Sequence, residues 1–154
     1  MTDSPRAEAP AFPPPNEVIP HREPFLFLDE VIRCEERHVV GVYTFRSFNP
    51  LFEGHFPQRP ITPGVLLIEG AAQALAYWAL RARPDHWVLL TGVDKAKWSR
   101  EVLPDQRLEY HVEVKRAKLG LVIAQVTVTH EEATVMSALI KGYLQPKNAE
   151  HTDV

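Results

Sequence analysis

Glu69 and His55 are the two residues of this 154-residue chain whose surroundings suit acid–base chemistry. Glu69 is the only charged residue between Ile61 and Leu80, in a run of aliphatic and small side chains. Burying an ionised carboxylate without a partner is costly, so such a site would hold Glu69 as the neutral acid, ready to give up a proton. The competing reading is a structural carboxylate paired to an arginine or to backbone; the apolar setting weighs toward function. Gln73, one turn further along the same helical face, would orient that carboxyl group or a water, or would be a satisfied core amide. His55 stands in Gly54-His55-Phe56-Pro57-Gln58-Arg59-Pro60, a stiff, non-repetitive loop. An imidazole held this way is aimed with little entropic loss on binding, though a lone histidine is as often unremarkable.

The remaining histidines are weaker candidates. His111 falls on a polar strand face, His38, His86, His130 and His151 fall at turns or tails, and His21 is open to either reading. No two stand at metal-ligand spacing on one element, so no metal is expected. There is no G-x-S-x-G, no phosphate loop and no dinucleotide fingerprint. A third chemical element is the start of the segment that carries Glu69. The amides of Gly64 and Val65 lie in a first helical turn, where N–H groups lack intrahelical acceptors and an oxyanion can bind. Every helix has such an end; together with a base and an acid it makes a coherent set.

Those residues need elements to hold them. The run Val65 to Arg81, VLLIEGAAQALAYWALR, is long and rich in Ala and Leu, which predicts a helix, with Pro63 suited to its first turn and Pro84 helping to end it. A helix apolar nearly all round must be enclosed on most sides. Gly70, Ala71, Ala72 and Ala74 would let a sheet approach it closely. Elsewhere the pattern is strand. Leu108, Tyr110, Val112 and Val114 alternate with Glu109, His111, Glu113 and Lys115. Residues 121–129 and 134–144 continue the alternation across a turn at His130-Glu131-Glu132. Residues 25–34, 39–47 (with a bulge at Gly41) and 88–98 add further strands. The expected architecture is α+β, five or six largely antiparallel strands curled around one buried helix.

Composition bounds the rest. A hydrophobic share of 45%, a charged share of 24% and a net charge of −3 describe an ordinary globular chain and argue against a nucleic-acid or basic membrane-surface binder. Residues 65–80 are too short, and carry the wrong residues, for a membrane span. The single cysteine, Cys34, excludes an intramolecular disulfide and suits a reducing cytosol; no secretory signal is visible at the N-terminus. The Pro-rich residues 1–17 and residues 146–154 read as flexible tails flanking one domain, residues 18–145.

His55-Phe56-Pro57, Pro60-Ile61-Thr62-Pro63-Gly64-Val65-Leu66, Glu69 and Gln73 closely resemble the HFPGxPxxPGVLxxEaxaQ signature of the FabZ-type 3-hydroxyacyl-acyl-carrier-protein dehydratases. Upstream, Pro20-His21-Arg22-Glu23-Pro24-Phe25-Leu26 is similar to the family's LPHRYPFL, and Phe52-Glu53-Gly54 to its FFQGHF. Downstream, Gly92-Val93-Asp94-Lys95-Ala96-Lys97-Trp98 is similar to GIDxARF. The resemblance covers about residues 18–145. It implies a hotdog fold, a cytoplasmic homodimer, often a trimer of dimers, and a site shared between subunits, the histidine from one and the glutamate from the other. It implies no cofactor, and a substrate carried on acyl carrier protein. His55 would be the base, Glu69 the acid, and Gly64 with Val65 the thioester-oxygen site. The chain departs from the pattern at Gln58, Glu23 and Asn49, and at Asp105, where the family has a glycine; these leave chain length and pathway open, as well as carrier protein against coenzyme A. Lys95, Lys97 and Arg100, with Arg22 and Arg59, would form a basic docking patch or simply a solvated face. The rival readings are a hotdog acyl thioesterase and a non-catalytic acyl-binding or assembly subunit.

Overall fold

Alternation along the chain becomes a sheet with one dry face. In the computed structural model, which describes residues 11–149, six strands run in the spatial order β1-β2-β4-β5-β6-β3, every neighbouring pair antiparallel. They are β1 (Glu30–Cys34), β2 (His38–Thr44), β3 (His86–Trp98), β4 (Arg107–Lys118), β5 (Leu121–His130) and β6 (Ala133–Pro146). Leu108, Tyr110, Val112 and Val114 of β4 are buried, as are Val122, Ala124, Val126 and Val128 of β5. The alternating partners face outward, as a period of two requires. Two hairpins are closed by residue pairs with positive φ, Leu119-Gly120 and Glu131-Glu132, the backbone twist that matches flanking strands.

Around this dry face the sheet curls over α3 (Gly64–Ala82), giving the hotdog arrangement. Two four-residue helices, α1 (Pro15–Val18) and α2 (Leu51–Gly54), are additional to the expected elements. The close approach expected of the small residues is carried by Gly70. A methyl group there would run into the Tyr110 ring. Gly41 serves a second close approach: its Cβ would sit 2.6 Å from Leu28 Cδ2. The bulge expected at Gly41 has its extra residue on the facing strand, between Val31 and Arg33 of β1.

Three expectations change. Residues 25–29 are not strand; the Phe27 N–H donates to the Gln73 side chain (2.8 Å) instead of to a ladder. The enclosure on most sides expected of the helix is left incomplete by its own sheet: Val65 is exposed, and Leu66, Ile68, Glu69 and Ala72 keep partial exposure. One curled layer covers only one side of a helix. Of the two flanking segments, residues 1–10 and 150–154 lie outside the described residues, while the described part of the first packs on the domain. Phe12 lies against the core, Pro15 is buried, and the Tyr77 hydroxyl donates to the Pro13 carbonyl (2.7 Å). A tyrosine hydroxyl needs a partner when buried, and a proline run supplies carbonyls without donors to satisfy in return. Among the described residues no helix is long and apolar enough to cross a membrane.

Candidate active site

His55 follows the one-turn helix α2 and begins a loop that closes on itself. Phe56 and Arg59 exchange backbone hydrogen bonds (3.2 and 3.0 Å), and the Ile61 N–H returns to the His55 carbonyl (3.1 Å). The His55 and Phe56 rings stack at 4.2 Å. Nδ1 of His55 lies 2.9 Å from the Ile61 carbonyl oxygen. A carbonyl only accepts, so the proton belongs on Nδ1 and the lone pair on Nε2. This loop therefore presents an imidazole with its basic nitrogen directed away from the backbone that holds it.

From Pro63 onward the chain turns into α3. The Thr62 N–H bonds Val102 O (2.8 Å) and the Leu66 N–H bonds Pro63 O (3.0 Å). Among the described residues the Gly64 and Val65 N–H groups have no acceptor, as the first turn of a helix dictates. Trp98 at the end of β3 covers this turn, its indole N–H donating to the Gly64 carbonyl (3.0 Å). A Cβ on residue 64 would stand 2.7 Å from that indole nitrogen, so glycine is needed there.

Glu69 lies along α3 on the side the sheet leaves uncovered. Its side chain keeps 23% of its exposure, so the burial expected of it is partial; one curled layer leaves this side of the helix open. Gln73, fully buried, donates to Glu69 Oε1 (3.0 Å) and to the Phe25 carbonyl (3.1 Å), and accepts from the Phe27 N–H. Gln73 is thus a satisfied core amide that also contacts the carboxylate. His21 Nε2 lies 3.7 Å from the same Oε1. Burial pushes the His21 imidazole below its ordinary value, against the raising effect of the Glu69 charge and with a smaller lowering from Arg22. Glu69 and His21 line a cavity of about 420 Å³ whose other walls are apolar, from α3, β3 and Gly142 of β6.

His55 does not line that cavity, and among the described residues no hydrogen bond or ion pair joins it to Glu69. The five basic residues divide. Arg22 is turned onto the carbonyls of Ile19 and His21 (2.9 and 2.7 Å), and Arg59 pairs with Glu101. Lys95, Lys97 and Arg100 are exposed, and among the described residues they have no ion-pair partner. His21 is the neighbour that sequence reasoning left undecided. Its only signal was its place in the Pro20-His21-Arg22 segment, because no spacing along the chain relates residue 21 to residue 69.

A sheet wrapped on one helix, with a carboxylate on that helix opening into an apolar cavity, defines the class: a hotdog-fold protein. The FabA-like domain model matches residues 19–139, and the chain belongs to that family. It is 39% identical over 131 residues to the 3-hydroxyacyl-[acyl-carrier-protein] dehydratase FabZ of Desulforamulus reducens, covering 80% of this chain and 92% of that relative. It is 37% identical over 121 residues to the protein of the same name from Thermotoga petrophila, covering 79% and 88%. Among solved structures it is similar in fold to the dehydratase heterocomplex ApeI:P from Xenorhabdus doucetiae, with a TM-score of 0.76, 18% identity, and coverage of 89% of this chain and 93% of that one.

Proposed function

We propose that this chain removes water from 3-hydroxyacyl thioesters on acyl carrier protein, giving 2-enoyl thioesters, in fatty-acid or polyketide assembly in the cytosol. The observation that carries the reading is the pairing of an accessible carboxylate in an apolar cavity with a loop histidine whose basic nitrogen is free. Relatives bearing the dehydratase name support it over most of the chain.

Nε2 of His55 takes the α-proton as general base. The N–H groups of Gly64 and Val65 hydrogen-bond the thioester oxygen as charge develops on it. Glu69 protonates the departing β-hydroxyl, which leaves as water as the Cα–Cβ double bond forms. That His55 stays outside the Glu69 cavity of its own chain supports a site completed by a second copy. The free edge of β3 supports that assembly. It is 13 residues long, pairs among the described residues only with β6, and exposes Trp87, Leu90, Val93 and Trp98; a long apolar edge is a template for pairing. We read the assembly as a homodimer, extendable to a trimer of dimers.

The test is turnover of a 3-hydroxyacyl thioester followed as enoyl absorbance, in the native chain, His55→Ala and Glu69→Gln. Loss of at least about a hundredfold in each folded variant is expected. Native-like turnover in both would overturn the assignment. Thioester hydrolysis without enoyl formation would favour a thioesterase, and neither reaction would favour a binding subunit.

A further inference from the structure

We infer that His21 is a positioning residue which, with Gln73, clamps Oε1 of Glu69 and so assigns the transferable proton to Oε2; this rests on the acid role proposed for Glu69. The orientation of Gln73 is not free. Its Oε1 accepts from the Phe27 N–H at 2.8 Å, so Nε2 is the end that meets Glu69, and it can only donate. Oε1 of Glu69 must therefore act as an acceptor in every turnover state. His21 Nε2 approaches the same oxygen at 3.7 Å. A ring nitrogen that carried a lone pair there would repel it, whereas Nε2–H attracts it. The other ring nitrogen, Nδ1, is buried with no hydrogen-bond partner among the described residues. With the proton on Nε2 that orphan is a lone pair, and the one N–H of the neutral ring is spent on the side where an acceptor stands. The Gln73 hydrogen bond at 3.0 Å and the His21 Nε2–H, an electrostatic contact at 3.7 Å and too long for a hydrogen bond, thus converge on one oxygen and leave the second free for the proton.

The cavity makes His21 sensitive to that carboxylate. The charged groups acting on His21 are Glu69 of α3 and the adjacent Arg22, while the cavity walls from α3, β3 and β6 carry no charge. With little else to screen or compete, loss of the Glu69 charge must be felt by the imidazole.

Two measurements test the clamp. The first follows the His21 ring by NMR across pH in the native protein and in Glu69→Gln. In the resting protein, before Glu69 takes up the proton that it delivers, its carboxylate supports the imidazolium, so in Glu69→Gln the midpoint of His21 should move to lower pH. An unchanged midpoint overturns the contact. The second compares steady-state turnover of a 3-hydroxyacyl thioester by His21→Leu and His21→Gln. Loss of a positioning donor should lower kcat about tenfold with KM within about twofold, and glutamine, which restores an N–H, should recover most of it. His21→Leu at native kcat, or an equal loss in both variants, overturns the positioning role. Absence of turnover by the native chain strikes the dehydratase reading instead, and the ring titration, which needs no activity, then decides the clamp by itself.

Discussion

Gln73 has three hydrogen bonds and no exposed surface, and two of the three go to the backbone of the segment that precedes β1. That single side chain therefore ties the entry segment to α3 and at the same time orders Glu69. In Gln73→Leu the buried Phe27 N–H would lose its acceptor, at a cost of about 1–3 kcal/mol, while the Phe25 carbonyl, on an exposed residue, can turn to water. A urea midpoint lowered by an amount equivalent to about 1–3 kcal/mol is expected, together with reduced turnover. A native midpoint would mean that the segment holds its place through apolar contacts alone. Asp105 shows how a departure from the family pattern is absorbed. It adopts φ 67°, where the family has glycine, and its carboxylate accepts from the Ser47 N–H (2.9 Å). Aspartate is among the few non-glycine residues that visit the left-handed region, and here its side chain is held by a sequence-distant partner, the Ser47 N–H.

Gly70 sets local propensity against packing at the scale of the element. Alanine in a helix interior is favoured over glycine by about 1 kcal/mol. Here the added methyl meets the buried Tyr110 ring of β4, so overpacking should win and Gly70→Ala should destabilise by about 1–3 kcal/mol. Shortening the opposing side chain in Gly70→Ala/Tyr110→Leu should recover part of that loss. Tyr110 offers the reverse case. Its hydroxyl is buried without a partner among the described residues, and burial pushes the phenol far above its ordinary value. Tyr110→Phe should keep or raise the thermal midpoint, because removing an unsatisfied hydroxyl relieves a desolvation cost. A drop of several degrees would show that the hydroxyl has a partner in the assembled protein.

Two predictions belong to the whole molecule. If sites are completed between copies, mixing inactive His55→Ala with inactive Glu69→Gln should regenerate activity after subunit exchange, since a mixed dimer holds one intact site. Mixed dimers confirmed by mass spectrometry yet inactive would place each site within one chain. The second concerns docking of an acidic carrier by a chain that is itself of net charge −3. Arg59 is charge-paired with Glu101 and Arg22 is tied to backbone carbonyls, so of the five basic candidates Lys95, Lys97 and Arg100 are the ones left to reach a carrier. Charge reversal at Lys97 and Arg100 should raise KM for the carrier-bound substrate several-fold at low salt, less at high salt, and leave a small thioester unaffected. Equal losses on both substrates would assign these residues to structure.

Much of this was legible in residue types and their periods. A period of two placed four buried side chains on β4 before any coordinates, and an Ala/Leu-rich run of helical length marked α3 to within a residue at each end. Glu69 stood out because a lone charge in an apolar helix violates the pattern around it, and Gly70 because small residues mark a close approach. Periodicity is a local property, and it fails where partners are distant in sequence. The strand order, with β3 beyond β6, the loss of strand in residues 25–29 to a side chain 46 positions away, and the meeting of His21 with Glu69 all depend on contacts that no local spacing encodes. The exposure of Glu69 was likewise decided by tertiary structure. A helix that reads as buried all round is covered by its own sheet on one side only, and what covers the other is a matter of assembly.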